Sequence, residues 1–234
     1  KMFCAGGDPK GFQAAQAGAG AITAVGDGTG VPPTGKFIAE HSRSFGGNKQ
    51  SANHFAKILY DWATLPQFTI CLAQGSALGG GFGFLCICDM VVAVKMAKFV
   101  LSEVKLGVIP ATISPYVISK IGVANAKQIF CTAENIDMNR AKEMGLVQTV
   151  VDNAGLFPEV VKDVASKIQQ CAPGAVQEAK KTILKVCYQQ FSESLISWTA
   201  EEYARIRKGE EAHQGMEAMK AKKRPPWMEK TIVV

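Results

Sequence analysis

The sequence is poor in metal ligands. Its 234 residues include three histidines, His41, His54 and His213, and none of them stands four residues from another. Seven cysteines lie scattered at 4, 71, 86, 88, 131, 171 and 187. Cys86 and Cys88 are too close for a zinc knuckle, and no His–Cys set elsewhere completes one, which argues against a metal site. No apolar run approaches the ~20 residues that a membrane-spanning helix needs. The net charge of +6 is dispersed, which disfavours a dedicated nucleic-acid binder but suits an anionic, phosphate-bearing small ligand. The basic tail Lys220-Ala221-Lys222-Lys223-Arg224 reads as solvated helix-end lysines. There is no internal repeat and no N-terminal targeting pattern.

What is present is ordinary for a soluble globular chain: 47% hydrophobic and 20% charged residues, enough for a substantial core. Scattered cysteines in apolar surroundings predict reduced, buried thiols, hence a reducing compartment such as cytoplasm or mitochondrial matrix. The opening Lys1-Met2-Phe3-Cys4-Ala5-Gly6-Gly7-Asp8 enters a turn with no element before it. The expectation is that the sequence starts inside a domain, with its first strands and any address label upstream.

Residues 9–49, rich in Gly, Ala, Thr and Pro, are expected to form one long flexible loop. Apolar residues at 3- and 4-residue intervals (Phe55, Ala56, Leu59, Trp62, Ala63) predict a helix over 50–63 that Pro66 ends. Phe68–Ala73 and Met90–Val94 read as buried strands, with a third at Phe99–Leu101 and another at Leu146–Val151. Helices are expected over 155–171, 173–190 and 192–220. The strand, glycine turn, helix, strand rhythm is that of a parallel sheet with crossover helices, an α/β fold.

Between the first two strands stands Ala77-Leu78-Gly79-Gly80-Gly81-Phe82-Gly83. Glycines at the mouth of a helix expose backbone N–H groups at its positive end, and without Cβ atoms a ligand oxygen can approach them closely. The anion could be a phosphate or a developing oxyanion. No Gly-Lys-Ser/Thr follows, so this is not a P-loop, and the glycine spacing is wrong for a dinucleotide turn.

Two further segments accompany it: the glycine turn Phe3–Asp8, and Ser102-Glu103-Val104-Lys105-Leu106-Gly107-Val108-Ile109-Pro110. With Cys88-Asp89 and Gly145-Leu146-Val147, these resemble the crotonase (enoyl-CoA hydratase/isomerase) superfamily over nearly the whole chain outside the loop at 9–49. The resemblance implies a ββα spiral core over 1–154 and a C-terminal helical oligomerisation region over 155–234. It also implies a homotrimer or homohexamer. It assigns the amides of Gly7 and Gly80 to an oxyanion hole for a thioester carbonyl, with Glu103 as catalytic acid/base. Cys4, Ala5, Gly6, Asp8, Gly79, Gly81, Gly83 and Pro110 would line the substrate. That substrate is a CoA or acyl-carrier-protein thioester, with no cofactor beyond the CoA or phosphopantetheine it carries.

The sequence departs from the two-glutamate hydratases at one place. They carry a second glutamate where this chain has Gly83, so the position beside the oxyanion turn looks empty. A single carboxylate can shift a proton between C2 and C4, or assist loss or addition of water. The run Glu103–Ile118 looks most like methylglutaconyl-CoA hydratase-like proteins and the dehydratases that install β-branches in polyketide synthesis. Hydration or dehydration of a branched or carboxylated enoyl or 3-hydroxyacyl thioester is therefore the favoured expectation. The alternatives are an enoyl-CoA delta-isomerase and a non-catalytic thioester-binding homologue.

Overall fold

The computed structural model describes residues 2–4, 21–25 and 49–229. Their contacts gather them into two units: 2–4, 21–24, 49–65 and 69–159 form one, and 25, 66–68 and 160–229 the other. Ala5, Gly6, Gly7 and Asp8, and most of the stretch 9–49, lie outside the described residues.

The first unit is built on seven strands: β1 (Met2–Cys4), β2 (Ala21–Val25), β3 (Phe68–Ala73), β4 (Ser76–Leu78), β5 (Met90–Val94), β6 (Phe99–Val100) and β7 (Thr149–Val151). They form two sheets, ordered β1-β4-β6 and β2-β3-β5-β7. The ladders β1/β4, β4/β6, β3/β5 and β5/β7 are all parallel. Consecutive strands alternate between the sheets, β3 to β4 and then β5 to β6. A helix follows each such pair: α2 (Gly80–Ile87) after β4, and a 3-10 turn (Glu103–Leu106) then α3 (Ser114–Thr132) after β6. This is the ββα winding that the resemblance implies, and it leaves the two central strands largely buried. Ile70, Cys71 and Ala73 on β3 and Val91, Val92 and Ala93 on β5 are fully inaccessible, as parallel strands covered on both faces must be.

α2 is apolar all round and buried from Gly81 to Ile87, so it is a core helix rather than a surface one. Phe84 meets Phe55 of α1 (Lys49–Ala63) edge-on at 5.9 Å, and Phe82 meets Phe99 edge-on at 6.4 Å. Each such buried side chain contributes ~1.5–3 kcal/mol of transfer free energy. At its far end α2 is closed by Lys120 of α3, whose Nζ donates to the carbonyls of Cys88 (2.9 Å) and Asp89 (3.3 Å). Burial pushes this ammonium below its usual range, while the thiols of Cys86, Cys88 and Cys71 and the carboxylate of Asp89 pull it back. A cation suits a helix C-terminus, and it satisfies carbonyls that no helical N–H can reach. Lys120→Met, which keeps length but orphans both carbonyls, is expected to cost about 1–3 kcal/mol in urea unfolding. No loss of stability would show that water replaces the ammonium.

The second unit holds α5 (Phe157–Gln169, from Val160 on), α6 (Pro173–Val186), α7 (Glu193–Arg207) and α8 (Glu210–Lys220); the short α4 (Met138–Glu143) belongs to the first. The N-cap of α6, Ala172, offers no side-chain acceptor. Glu211 supplies one from α8, accepting from the amides of Gly174 (2.9 Å) and Ala175 (3.0 Å). A carboxylate there meets both the free N–H groups and the positive helix end. Glu211→Ala is expected to lower stability by ~1 kcal/mol in chemical denaturation, and Glu211→Gln by less.

Four expectations are corrected. The stretch 9–49 is not loop throughout, because Ala21–Val25 is a strand beside β3. The strand expected over Leu146–Val151 shrinks to Thr149–Val151. The amides of Leu146 and Val147 are taken by Ala141 O, and Gln148 closes onto Val91 through its own N–H and its side-chain oxygen. The single helix expected over 192–220 breaks at Gly209, whose extended backbone (φ −73°, ψ 160°) starts a new helix. Among the described cysteines, Cys71, Cys86 and Cys88 are buried thiols, but Cys131, Cys171 and Cys187 are exposed. Cys131 lies in the last turn of α3, whereas Cys171 and Cys187 lie just past the ends of α5 and α6.

Candidate active site

Parallel register decides what meets at the C-terminal edge of the β1-β4-β6 sheet. Cys4 pairs with Ala77, and Leu78 pairs with Val100. All three strands therefore run out at the same edge, where open α/β sheets place their ligands. Off β4 come the glycines, and off β6 comes Glu103. β1 also ends at this edge, at Cys4; Gly7 lies outside the described residues.

The turn after β4 needs glycine. Gly79 has φ 51° and ψ −125°, a backbone conformation L side chains rarely adopt. Its N–H donates to Val100 O at 3.1 Å, and its carbonyl accepts from Phe82 N–H at 2.9 Å. These two bonds pin the start of α2. The amides of Gly80 and Gly81 belong to the first helical turn, which no carbonyl of α2 can satisfy. That turn carries no acidic side chain. The arrangement offers N–H groups to an oxygen from outside.

Glu103 opens the 3-10 turn that follows β6. Its carbonyl accepts from Gly107 and Val108 (3.1 Å), with Gly107 left-handed at φ 73°, and this short closed turn fixes where the side chain starts. Oε2 of Glu103 is buried and has no hydrogen-bond partner among the described residues. Burial raises the carboxyl above its ordinary range, and a hydrogen bond from its own backbone N–H offsets part of that. A carboxyl held this way can give and take a proton nearer neutrality than an exposed one. An unpartnered buried carboxylate oxygen has no structural use and a standing desolvation cost.

Of the other residues expected to line the substrate, Gly79, Gly81 and Pro110 are buried. Gly83 is the surprise. The sequence leaves the place beside it empty, but the structure fills it. A Cβ built on Gly83 would lie 2.4 Å from Cγ2 of Ile113 and 3.8 Å from Cδ2 of Leu59. Sequence reasoning missed Ile113 because its packing partner lies thirty positions upstream, and nothing local marks an isoleucine before a helix as a plug.

The chain matches the family model for enoyl-CoA hydratase/isomerase over residues 36–230. It belongs to that family. An enoyl-CoA hydratase of Shewanella pealeana has a similar fold, with TM-score 0.70 and 32% identity over 82% of this chain and 72% of that one. Pseudomonas aeruginosa AtuE is likewise similar, with TM-score 0.74 and 28% identity over 82% of this chain and 75% of that one. Among curated relatives, an enoyl-CoA hydratase of Alternaria alternata is 37% identical over 115 residues, 49% of this chain and 39% of that protein. The short-chain-enoyl-CoA hydratase of Clostridium acetobutylicum is 37% identical over 120 residues, 51% and 46% of the two chains. These matched segments span about half or less of the curated relatives. No described helix is long and apolar enough to cross a membrane.

Proposed function

We propose that this protein catalyses hydration or dehydration of an acyl thioester, CoA-borne or carrier-borne, through an enolate held by backbone amides, with Glu103 as the sole acid/base. The observation that carries this reading is Glu103 itself, whose buried Oε2 has no partner among the described residues and whose carboxyl is raised by burial, one turn from the strand end bonded to Gly79.

In the dehydration direction, the Glu103 carboxylate takes the C2 proton of a 3-hydroxyacyl thioester. The electron pair moves into the carbonyl, and the oxyanion is met by the amide of Gly80 and, on the resemblance, that of Gly7. As the enolate collapses, the C3–O bond breaks and the proton passes from Glu103 to the departing hydroxyl, leaving as water. Hydration is the reverse. One carboxylate suffices because the proton it removes is the proton it returns. No cofactor is needed beyond the CoA or phosphopantetheine arm of the substrate.

A branched or carboxylated acyl group is the preferred substrate, because hydrocarbon from Ile113 and Leu59 stands where a second carboxylate would lie. The same single carboxylate could serve a delta-isomerase, moving a proton from C4 to C2. A non-catalytic thioester binder is the third possibility, and it leaves the cost of burying Glu103 without a purpose. A homotrimer or homohexamer fits the exposed apolar side chains of the helical unit, among them Ile183, Tyr188, Phe191, Ile196 and Tyr203.

The deciding experiment offers crotonyl-, 3-enoyl-, 3-methylglutaconyl- and 3-hydroxy-3-methylglutaryl-CoA in turn and follows the products. Water gain or loss on a branched thioester is the expected result. Double-bond migration alone would favour the isomerase, and no turnover of any of them would favour the binder.

A further inference from the structure

Gly83 sits in the first turn of α2 with its missing side chain aimed at Ile113. At 2.4 Å, a Cβ on residue 83 would overlap the Cγ2 methyl of Ile113, a separation real Cβ atoms essentially never show, and the Cβ of Ile113 follows at 3.1 Å. Ile113 cannot easily retreat. It is 1% exposed, and its carbonyl receives the amides of Tyr116 and Val117 at 3.1 Å each. The turn before it is closed by Ser114, whose N–H and Oγ both donate to Ala111 O.

We propose that Ile113 is a specificity-determining residue that closes the second acid/base position: its Cγ2 methyl occupies the volume that any side chain at 83 would enter. The proposal rests on the one-carboxylate reading above and deepens it. Gly83 and Ile113 are then a matched pair. Hydrocarbon replaces a carboxylate on that side of the site, which removes the charge that would repel a carboxylated acyl group. The same wall handicaps unbranched enoyl thioesters whose hydration draws on two carboxylates.

The contact is tested without substrate. Gly→Ala inside a helix ordinarily stabilises. Here Gly83→Ala is expected to lower Tm by about 3–10 °C, because it overpacks a closed site. In an Ile113→Leu background, which keeps volume but removes the Cγ2 branch, the same change should leave Tm level or raise it. A rise on Gly83→Ala in the parent protein, or equal losses in both backgrounds, overturns the contact.

Specificity is tested with crotonyl-CoA. Gly83→Glu/Ile113→Ala is expected to hydrate it at least ~10-fold faster than either Gly83→Glu or Ile113→Ala, the contribution of a positioned acid/base being ~10²–10⁴. Turnover of 3-methylglutaconyl-CoA should fall in the double variant. A double variant no faster on crotonyl-CoA than the single ones overturns the specificity role. If the parent protein turns over no thioester, the one-carboxylate reading fails instead, and the melting comparison still decides whether Ile113 holds the position.

Discussion

Glu103→Gln is expected to lower turnover by ~10²–10⁴ while leaving thioester affinity nearly unchanged. Gln keeps the size and most of the hydrogen-bonding capacity of Glu, so only the titrating proton is removed. The substitution carries a second signature. Because burial raises the Glu103 carboxyl in the folded protein, folding favours its protonated form. The associated stability is fully present below the ordinary carboxylate pKa of ~4.3 and is lost as pH rises through the raised folded value. Gln does not ionise and escapes that loss. The variant should therefore melt above the parent near pH 7, and the gap should close toward pH 4. Loss of activity with a gain of stability is the mark of a group held for chemistry at the expense of the fold. Unchanged turnover would remove Glu103 from the mechanism. A lower Tm at neutral pH would show that its buried oxygen has a structural partner.

Gly79→Ala is expected to cost ~10²–10³ in turnover together with ~1–3 kcal/mol in stability. Gly79 holds φ 51° and ψ −125° between β4 and α2, where its N–H bonds Val100 and its carbonyl bonds Phe82. A Cβ there strains the backbone, and relief requires the peptide leading into Gly80 to rotate. The Gly80 N–H would then no longer point where the oxyanion forms. Strain alone can be separated from catalysis by a control. Gly145 also has a positive φ, 78°, with only Lys120 O near, 3.9 Å from a built Cβ. Gly145→Ala should lose comparable stability and keep its rate. If both substitutions slow the reaction equally, the turn after β4 acts through the fold and not through its amides.

Much of the fold was legible in local pattern. Phe68–Ala73 and Met90–Val94 are short apolar runs rich in β-branched residues, and they are the central strands of the larger sheet. The helix starting after the triglycine was legible as well, because three glycines before an apolar run leave little else for the chain to do. β4 was not. Ser76–Leu78 has only three residues, and its strand character comes from pairing with β1 on one side and β6 on the other. β7 ends up shorter than its apolar run because the side chain of Gln148 and the carbonyl of Ala141 take up the backbone groups before it.

For the candidate site, the sequence singled out a glycine turn and a glutamate after a strand, and the structure sets both at one edge of the β1-β4-β6 sheet. The sequence also showed that position 83 has no side chain. What that absence means was decided by tertiary structure. From the sequence, Gly83 reads as a vacancy into which a carboxylate could be restored. In the fold, the direction its Cβ would take is set by the helical phase of α2, and what lies there is set by the start of α3, thirty positions later. Residue types are local properties of the chain. The volume that a side chain would enter belongs to whichever distant segment packs there first, and here that segment is Ile113.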